Sequence, residues 1–133
     1  MMMKLDYFGI RVTDLERSIK FYTQLLGLKE VARGDFSKYG AGIWVKLRDE
    51  QSGMQLELNW YPETSRFGVP YRVGEGVDHI GFVVEDVKET YKELVNGGAQ
   101  PTEIVPSLTQ GWSAHVKDPD GIWIELFQLT KPS

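Results

Sequence analysis

An internal repeat constrains this 133-residue chain more than any other feature. Leu5-Asp6-Tyr7-Phe8-Gly9-Ile10-Arg11-Val12-Thr13-Asp14-Leu15 aligns without a gap on Val77-Asp78-His79-Ile80-Gly81-Phe82-Val83-Val84-Glu85-Asp86-Val87. Asp6 and Asp78, Gly9 and Gly81, Val12 and Val84, and Asp14 and Asp86 are identical, and Tyr7 stands opposite His79. A second pair follows at almost the same spacing: Gly53-Met54-Gln55-Leu56-Glu57-Leu58 on Gly121-Ile122-Trp123-Ile124-Glu125-Leu126. A duplicated module fixes the architecture before any single residue does. It also pairs polar residues, Tyr7 with His79 and Glu57 with Glu125, and these are the positions where function is sought.

The hydrophobic periods define each module. Residues 5–12 alternate, with Phe8, Ile10 and Val12 on one face and Tyr7, Gly9 and Arg11 on the other, which predicts a strand. A helical pattern follows through Leu15, Ile19, Tyr22, Leu25 and Leu26 to Gly27, with Thr13 or Asp14 as its cap. Strands are predicted near 28–32, 43–47 and 54–60. Residues 61–76 carry Pro62, Gly68, Pro70, Gly74 and Gly76, and read as the connection between modules. The second module repeats the plan: a strand over 77–84, a helix opened by Asp86 and ending at Asn96 before Gly97-Gly98, then strands near 102–105, 112–116 and 122–128. The last strand follows a tight Asp118-Pro119-Asp120-Gly121 turn. The fold class is therefore α+β, a single domain over 1–133 made of tandem βαβββ modules at 5–60 and 77–128. Each sheet would bury one face under its helix and leave the other available.

Composition narrows the partners. The net charge of −4 and the lack of a basic block argue against a nucleic-acid surface. The absence of cysteine excludes disulfides, thiolate nucleophiles and thiolate-bound zinc. No stretch approaches the roughly 18 apolar residues of a membrane span, and Met1-Met2-Met3-Lys4 lacks the apolar run of a signal peptide, so a cytoplasmic location is expected.

The available faces carry Glu57, His79, Glu125, Tyr7 and Arg11. Singly, each reads as a solvated strand residue. Together, two carboxylates and an imidazole converging on a partly buried site would repel and lose hydration unless a cation joined them. Neutral imidazole with two carboxylates suits Mn, Fe, Co, Ni or Zn, and three ligands leave positions open for substrate.

The pair of motifs resembles a known family. Asp6-x-x-Gly9-Ile10-x-Val12-x-Asp14-Leu15-x5-Phe21-Tyr22-x3-Leu26-Gly27-Leu28, with Asp118-Pro119-Asp120-Gly121-x-x-Ile124-Glu125-Leu126, looks like the vicinal-oxygen-chelate superfamily. That group includes glyoxalase I, extradiol dioxygenases, methylmalonyl-CoA epimerase and the fosfomycin and bleomycin resistance proteins. The resemblance implies mixed sheets curved around a cavity, a divalent metal and a homodimer. It places the metal at the first and last strand of each module: Tyr7, Glu57, His79 and Glu125. Tyr7 stands where the family carries His or Gln, and a neutral phenol is a poor ligand. It is therefore expected as a pocket wall or donor to substrate, leaving Glu57, His79 and Glu125 as the ligands. Glyoxalase I is most similar, because Arg11 follows Tyr7 by four residues and Glu57-Leu58-Asn59-Trp60 resembles its fourth strand. In that enzyme the Arg and Asn hold the glutamyl end of glutathione, so Arg11 and Asn59 are expected to bind substrate. Matching Asn59-Trp60 would put Gln55 at the ligand position, whereas the internal repeat puts Glu57 there and is preferred.

The implied activity is that of a lyase or isomerase acting on a small α-hydroxycarbonyl or ketoaldehyde–thiol adduct through a metal-chelated enediolate. Glu125 would move the proton, with Glu57 as ligand or second base, and Trp123 would supply an apolar wall. Other readings stay open: an extradiol dioxygenase using His79 and His115, an acyl-CoA epimerase, or a metal-free drug-binding protein of the bleomycin resistance type. His115 reads as a pocket-lining residue, a base or a replacement ligand. Trp112, Phe67 and Tyr71 could shape substrate entry.

Overall fold

The computed structural model describes residues 5–128 except 38–40, 66, 69, 73, 74, 76, 78 and 108–110. Asp78, the turn glycines Gly74 and Gly76 and the start at Met1–Lys4 thus lie outside the described residues. The chain divides between Tyr71 and Arg72 into two compact units.

The first unit runs β1 (Phe8–Arg11), α1 (Leu15–Lys20), β2 (Lys29–Asp35), β3 (Ile43–Arg48) and β4 (Gln55–Trp60). Its sheet has the order β1-β4-β3-β2, with β1 parallel to β4 and the other pairs antiparallel. The second unit runs β5 (His79–Val83), α2 (Val87–Asn96), β6 (Gln100–Pro106), β7 (Trp112–Lys117) and β8 (Trp123–Phe127), in the matching order β5-β8-β7-β6. The tandem βαβββ arrangement is thus present. The first strand of each unit is shorter than its alternating pattern, because pairing with the fourth strand begins only at Phe8 and at His79.

Both helices start where a carboxylate can accept a free backbone N–H. Asp14 accepts from the Arg17 N–H at 3.1 Å and Asp86 from the Glu89 N–H at 3.1 Å. Asp14 is therefore the cap, and the Thr13 hydroxyl instead accepts from the Arg17 guanidinium. The first helix does not stay α-helical to Gly27: Phe21–Leu25 widens into a π turn, with the Leu26 N–H reaching back to the Phe21 carbonyl. The Thr23 hydroxyl bonds the Ile19 carbonyl at 2.6 Å, the kind of side-chain competition that bends helices. Gly27, at φ 81°, then ends it.

Each unit has its own core. Ile10, Val12, Val45, Leu47 and Leu58 are buried with Leu15, Phe21 and Tyr22 in the first. Val87, Leu94, Ala114, Val116, Ile124 and Leu126 are buried in the second. Full burial of each large aliphatic contributes about 1.5–3 kcal/mol, enough to hold the sheet's pleat in one register. The turn before the last strand is also duplicated. Asp118 is buried, and its Oδ1 accepts from the N–H groups of Asp120 at 2.9 Å and Ile122 at 2.7 Å. In the first unit Asp49 Oδ1 accepts from the Gln51 N–H at 3.0 Å, and Gly53 and Gly121 both take positive φ. These matched turns deliver Glu57 and Glu125 at equivalent points of their sheets.

Candidate active site

Burying the helix-side apolar residues leaves the alternate residues of each sheet on the other side. In the first unit Glu57 sits in the middle of β4, opposite Gly9 of β1 and Lys46 of β3. In the second, Glu125 of β8 lies opposite Gly81 of β5 and His115 of β7. The register is the same in both units, which supports the gap-free repeat and Glu57, rather than Gln55, as the counterpart of Glu125. Gln55 is otherwise engaged: its amide donates to the Asp6 carbonyl and carboxylate at 3.4 and 3.3 Å, and it accepts from Arg48 at 3.1 Å.

The two identical glycines have a steric purpose. A Cβ on Gly9 would stand 2.7 Å from the Asn59 amide nitrogen, and one on Gly81 would stand 3.3 Å from the Phe127 ring. The glycine lets the residue two past each glutamate lie across the first strand. Asn59 does so with its amide 3.5 Å from the Glu57 carbonyl, at the outer limit of a hydrogen bond.

Around Glu57 the first unit gathers cations and aromatic rings. The Lys46 ammonium stands 4.0 Å from the Tyr7 ring centroid, and the Arg11 guanidinium carbon 4.8 Å from that of Tyr61. Tyr7 precedes β1 and is exposed. Phe67 packs instead with Phe36 and Tyr61, at ring centroids 6.0 and 5.6 Å apart. Burial pushes the Glu57 carboxyl above its ordinary range, with Lys46 pulling it partly back. Burial likewise raises the Tyr61 hydroxyl, opposed by Arg11 and reinforced by Glu57 and Tyr7.

A raised folded-state pKa means that Glu57 binds its proton more tightly folded than unfolded. Its contribution to stability is then fully present below the unfolded value and is lost as pH rises through the folded one. Glu57→Gln is accordingly expected to match the parent protein at strongly acid pH and to gain relative stability through the mildly acid range. Urea unfolding at a series of pH values checks this, and parallel curves would refute it.

The second unit presents a different chemistry at the same three positions. His79 Nε2 lies 3.2 Å from Glu125 Oε2, and His115 Nε2 lies 3.8 Å from the same oxygen. The Thr102 hydroxyl donates to the His115 carbonyl, fixing β7 beside the bulge in β6. Trp123 meets the His115 ring edge-on at 5.6 Å, and the Lys117 ammonium stands 4.9 Å from the Trp123 centroid. His79, Glu103, His115 and Trp123 line an open pocket of about 330 Å³. Trp112 stands apart, its ring under the Lys88 ammonium at 3.7 Å, and Tyr71 is half-buried near the unit boundary.

Donor spacing tests whether a metal suits these groups. Two ligands each about 2.1 Å from one ion stand roughly 3.0–3.4 Å apart at octahedral or tetrahedral angles. The 3.2 Å between His79 and Glu125 fits, whereas the 3.8 Å to His115 is wider. Accordingly, among the described residues no group of three or more His, Asp or Glu side chains is arranged to hold an ion. The His79–Glu125 pair has the spacing of two ligands, and His115 is its neighbour.

Within the units the structure gathers Tyr7, Arg11, Asn59 and Glu57 in one, and His79, Trp123 and Glu125 in the other. Lys46 was not among the sequence candidates. Its signal lay in the alternation of 43–48, which puts Trp44 and Lys46 on the face of Glu57, and in the repeat, where Lys46 occupies the place of His115.

Tandem βαβββ units with a matched glutamate on each open face define a class of paired-module proteins. Residues 4–126 match the model of the Glyoxalase/Bleomycin resistance protein/Dioxygenase superfamily, and the chain belongs to that family. Its curated relatives are enzymes by name. The chain is 34% identical to a probable lactoylglutathione lyase of Vibrio cholerae, covering 90% of this chain and 86% of the relative. It is 30% identical to the lactoylglutathione lyase of Salmonella typhimurium, covering 95% and 93%. Among solved structures, the trypanothione-dependent glyoxalase I of Leishmania major superposes with a TM-score of 0.72 at 34% identity, covering 95% of this chain and 87% of that one. No helix among the described residues is long and apolar enough to cross a membrane.

Proposed function

We propose that this protein is a glyoxalase I-like lyase that moves a proton between adjacent carbons of a small α-hydroxycarbonyl or ketoaldehyde–thiol adduct. The observation that carries the reading is the His79–Glu125 pair, 3.2 Å apart on the open face of the second sheet. Similarity to lactoylglutathione lyases over nearly the whole chain supports it.

The Glu125 carboxylate takes the proton from the carbon next to the carbonyl. The C–H electron pair then forms the carbon–carbon double bond of an enediol while the carbonyl oxygen gains the negative charge. Return of the proton to the neighbouring carbon, with passage of the thiohemiacetal hydroxyl proton to the charged oxygen, leaves an α-hydroxy thioester, with no external oxidant or reductant. Positioned proton transfer of this kind typically adds about 10²–10⁴-fold. His115 stands opposite Glu125 on the adjacent strand, while Trp123 supplies an apolar wall beside it.

His79 and Glu125 would hold a divalent ion, among Ni, Zn, Mn, Co and Fe, and the family resemblance adds Glu57 as a further ligand. When bound, the ion supplies Lewis-acid polarisation of the substrate's carbonyl oxygen. Elemental analysis of protein purified without chelator tests the reading together with turnover of a 2-oxoaldehyde–glutathione adduct. Activity is expected to vanish on chelation and to return with at least one of these ions. Full turnover by metal-free protein would refute the metal-dependent mechanism.

A further inference from the structure

The bulge in β6 brings one more side chain to the second unit's pocket. Pairing of β6 with β7 steps from Pro101 opposite Val116 to Ile104 opposite Ala114, so Thr102 and Glu103 stand together against His115. A bulge of this kind re-aims a side chain. Thr102 ties it down: its hydroxyl donates to the His115 carbonyl, and its own carbonyl accepts from the Tyr91 hydroxyl at 3.2 Å. Glu103 is left to line the pocket of about 330 Å³ with His79, His115 and Trp123. Among the described residues its carboxylate forms no ion pair, so a gap separates it from both imidazoles. The bulge is duplicated but the carboxylate is not. In the first unit the pairing shifts between Glu30 and Ala32, and Ala32 stands opposite Lys46, the counterpart of His115. The bulge itself therefore does not require an acid at this place.

We propose that Glu103 selects a ligand carrying an organic ammonium group, which narrows the substrate class to carbonyl adducts with a cationic arm. This rests on the lyase reading above only in taking this pocket as the substrate's. The lining is a carboxylate, an indole and two imidazoles, and the Glu125 carboxylate lies 3.2 Å from the nearer imidazole. Among the described residues no lysine or arginine lines the pocket. The Lys117 ammonium stands 4.9 Å from the Trp123 centroid, and that residue is not part of the lining. A carboxylate beside an indole suits an ammonium, which the one attracts by charge and the other by its ring quadrupole. An anionic arm would instead meet two carboxylates. Glu103 is exposed, so screening by water keeps the gain modest.

Choline and its carbon isostere, the alcohol with a tert-butyl group in place of trimethylammonium, make the test, since they share a shape and differ in charge. The chain has two histidines and both line the pocket, so their imidazole C–H signals report its occupancy. Proton NMR titration at matched ionic strength, in zinc-containing buffer that keeps those signals sharp, follows both probes. Choline is expected to bind about fivefold more tightly than the alcohol. Glu103→Gln, with folding checked by circular dichroism, is expected to erase the preference. Should that variant fail to fold, Glu103→Ala takes its place, since alanine already stands at the matched bulge of the first unit. Equal binding of the two probes, or binding of neither, would overturn the proposal. So would a preference undiminished in the variant, because Glu125 or Trp123 would then supply it. Turnover and proton transfer do not enter this readout, so the lyase reading and the ammonium preference can fail separately.

Discussion

Glu125→Gln is expected to slow exchange of the carbon-bound proton by about 10²–10⁴-fold while leaving the fold intact. The substitution removes the only property that proton abstraction requires, a lone pair basic enough to take the proton, and keeps shape and volume. An amide still offers an oxygen at this position, so the pair at 3.2 Å need not separate. Deuterium incorporation from heavy water, followed by NMR on a bound thiol adduct, reads the step directly. It separates the chemical step from product release, which turnover alone does not. A Glu125→Gln variant that exchanged at the parental rate would place the base elsewhere, with Glu57 as the next residue to examine.

His79→Ala should release the metal. Partners that merely orient a ligand typically change affinity by about 10–100-fold, so deletion of a ligand is expected to exceed 100-fold. His115→Ala is the informative companion, since its Nε2 is 3.8 Å from Glu125 Oε2, wider than the spacing of adjacent ligands. It should retain metal, with at most the smaller loss of an orienting neighbour. Metal per protein after dialysis, measured on both variants, gives the comparison without reference to turnover. Equal losses would make His115 a ligand alongside His79, and retention of metal by His79→Ala would remove His79 from the site.

The strands and helices were legible where the cause is local. Asp14 and Asp86 precede apolar helical patterns, and each accepts the hydrogen bond that starts its helix. The second helix ends at Asn96, before Gly97-Gly98, as the pattern predicts. Strand edges were less legible. β2 extends to Asp35 and β6 begins at Gln100, beyond their apolar cores, because bulges between Glu30 and Ala32 and between Pro101 and Ile104 let pairing continue. A bulge reflects the fit between two strands, and neither strand encodes it alone. The π turn over Phe21–Leu25, where the Thr23 hydroxyl bonds the Ile19 carbonyl, was not legible either.

The sequence by itself determined that two copies of one module would form, which face of each strand would be apolar, and that a glutamate would stand on the open face of both. Periodicity, capping and duplication are properties of residues near one another in the chain. Only the tertiary structure decided what those glutamates face. Lys46 beside Glu57 and His115 beside Glu125 are pairings across strands, set by register. Register depends on turns such as that at Asp118 and on burial of the helix-side residues, whose combined energy exceeds any preference of the polar face. The same fold thus gives one glutamate an ammonium and the other two imidazoles, and the two halves of a duplicated chain acquire different chemistry.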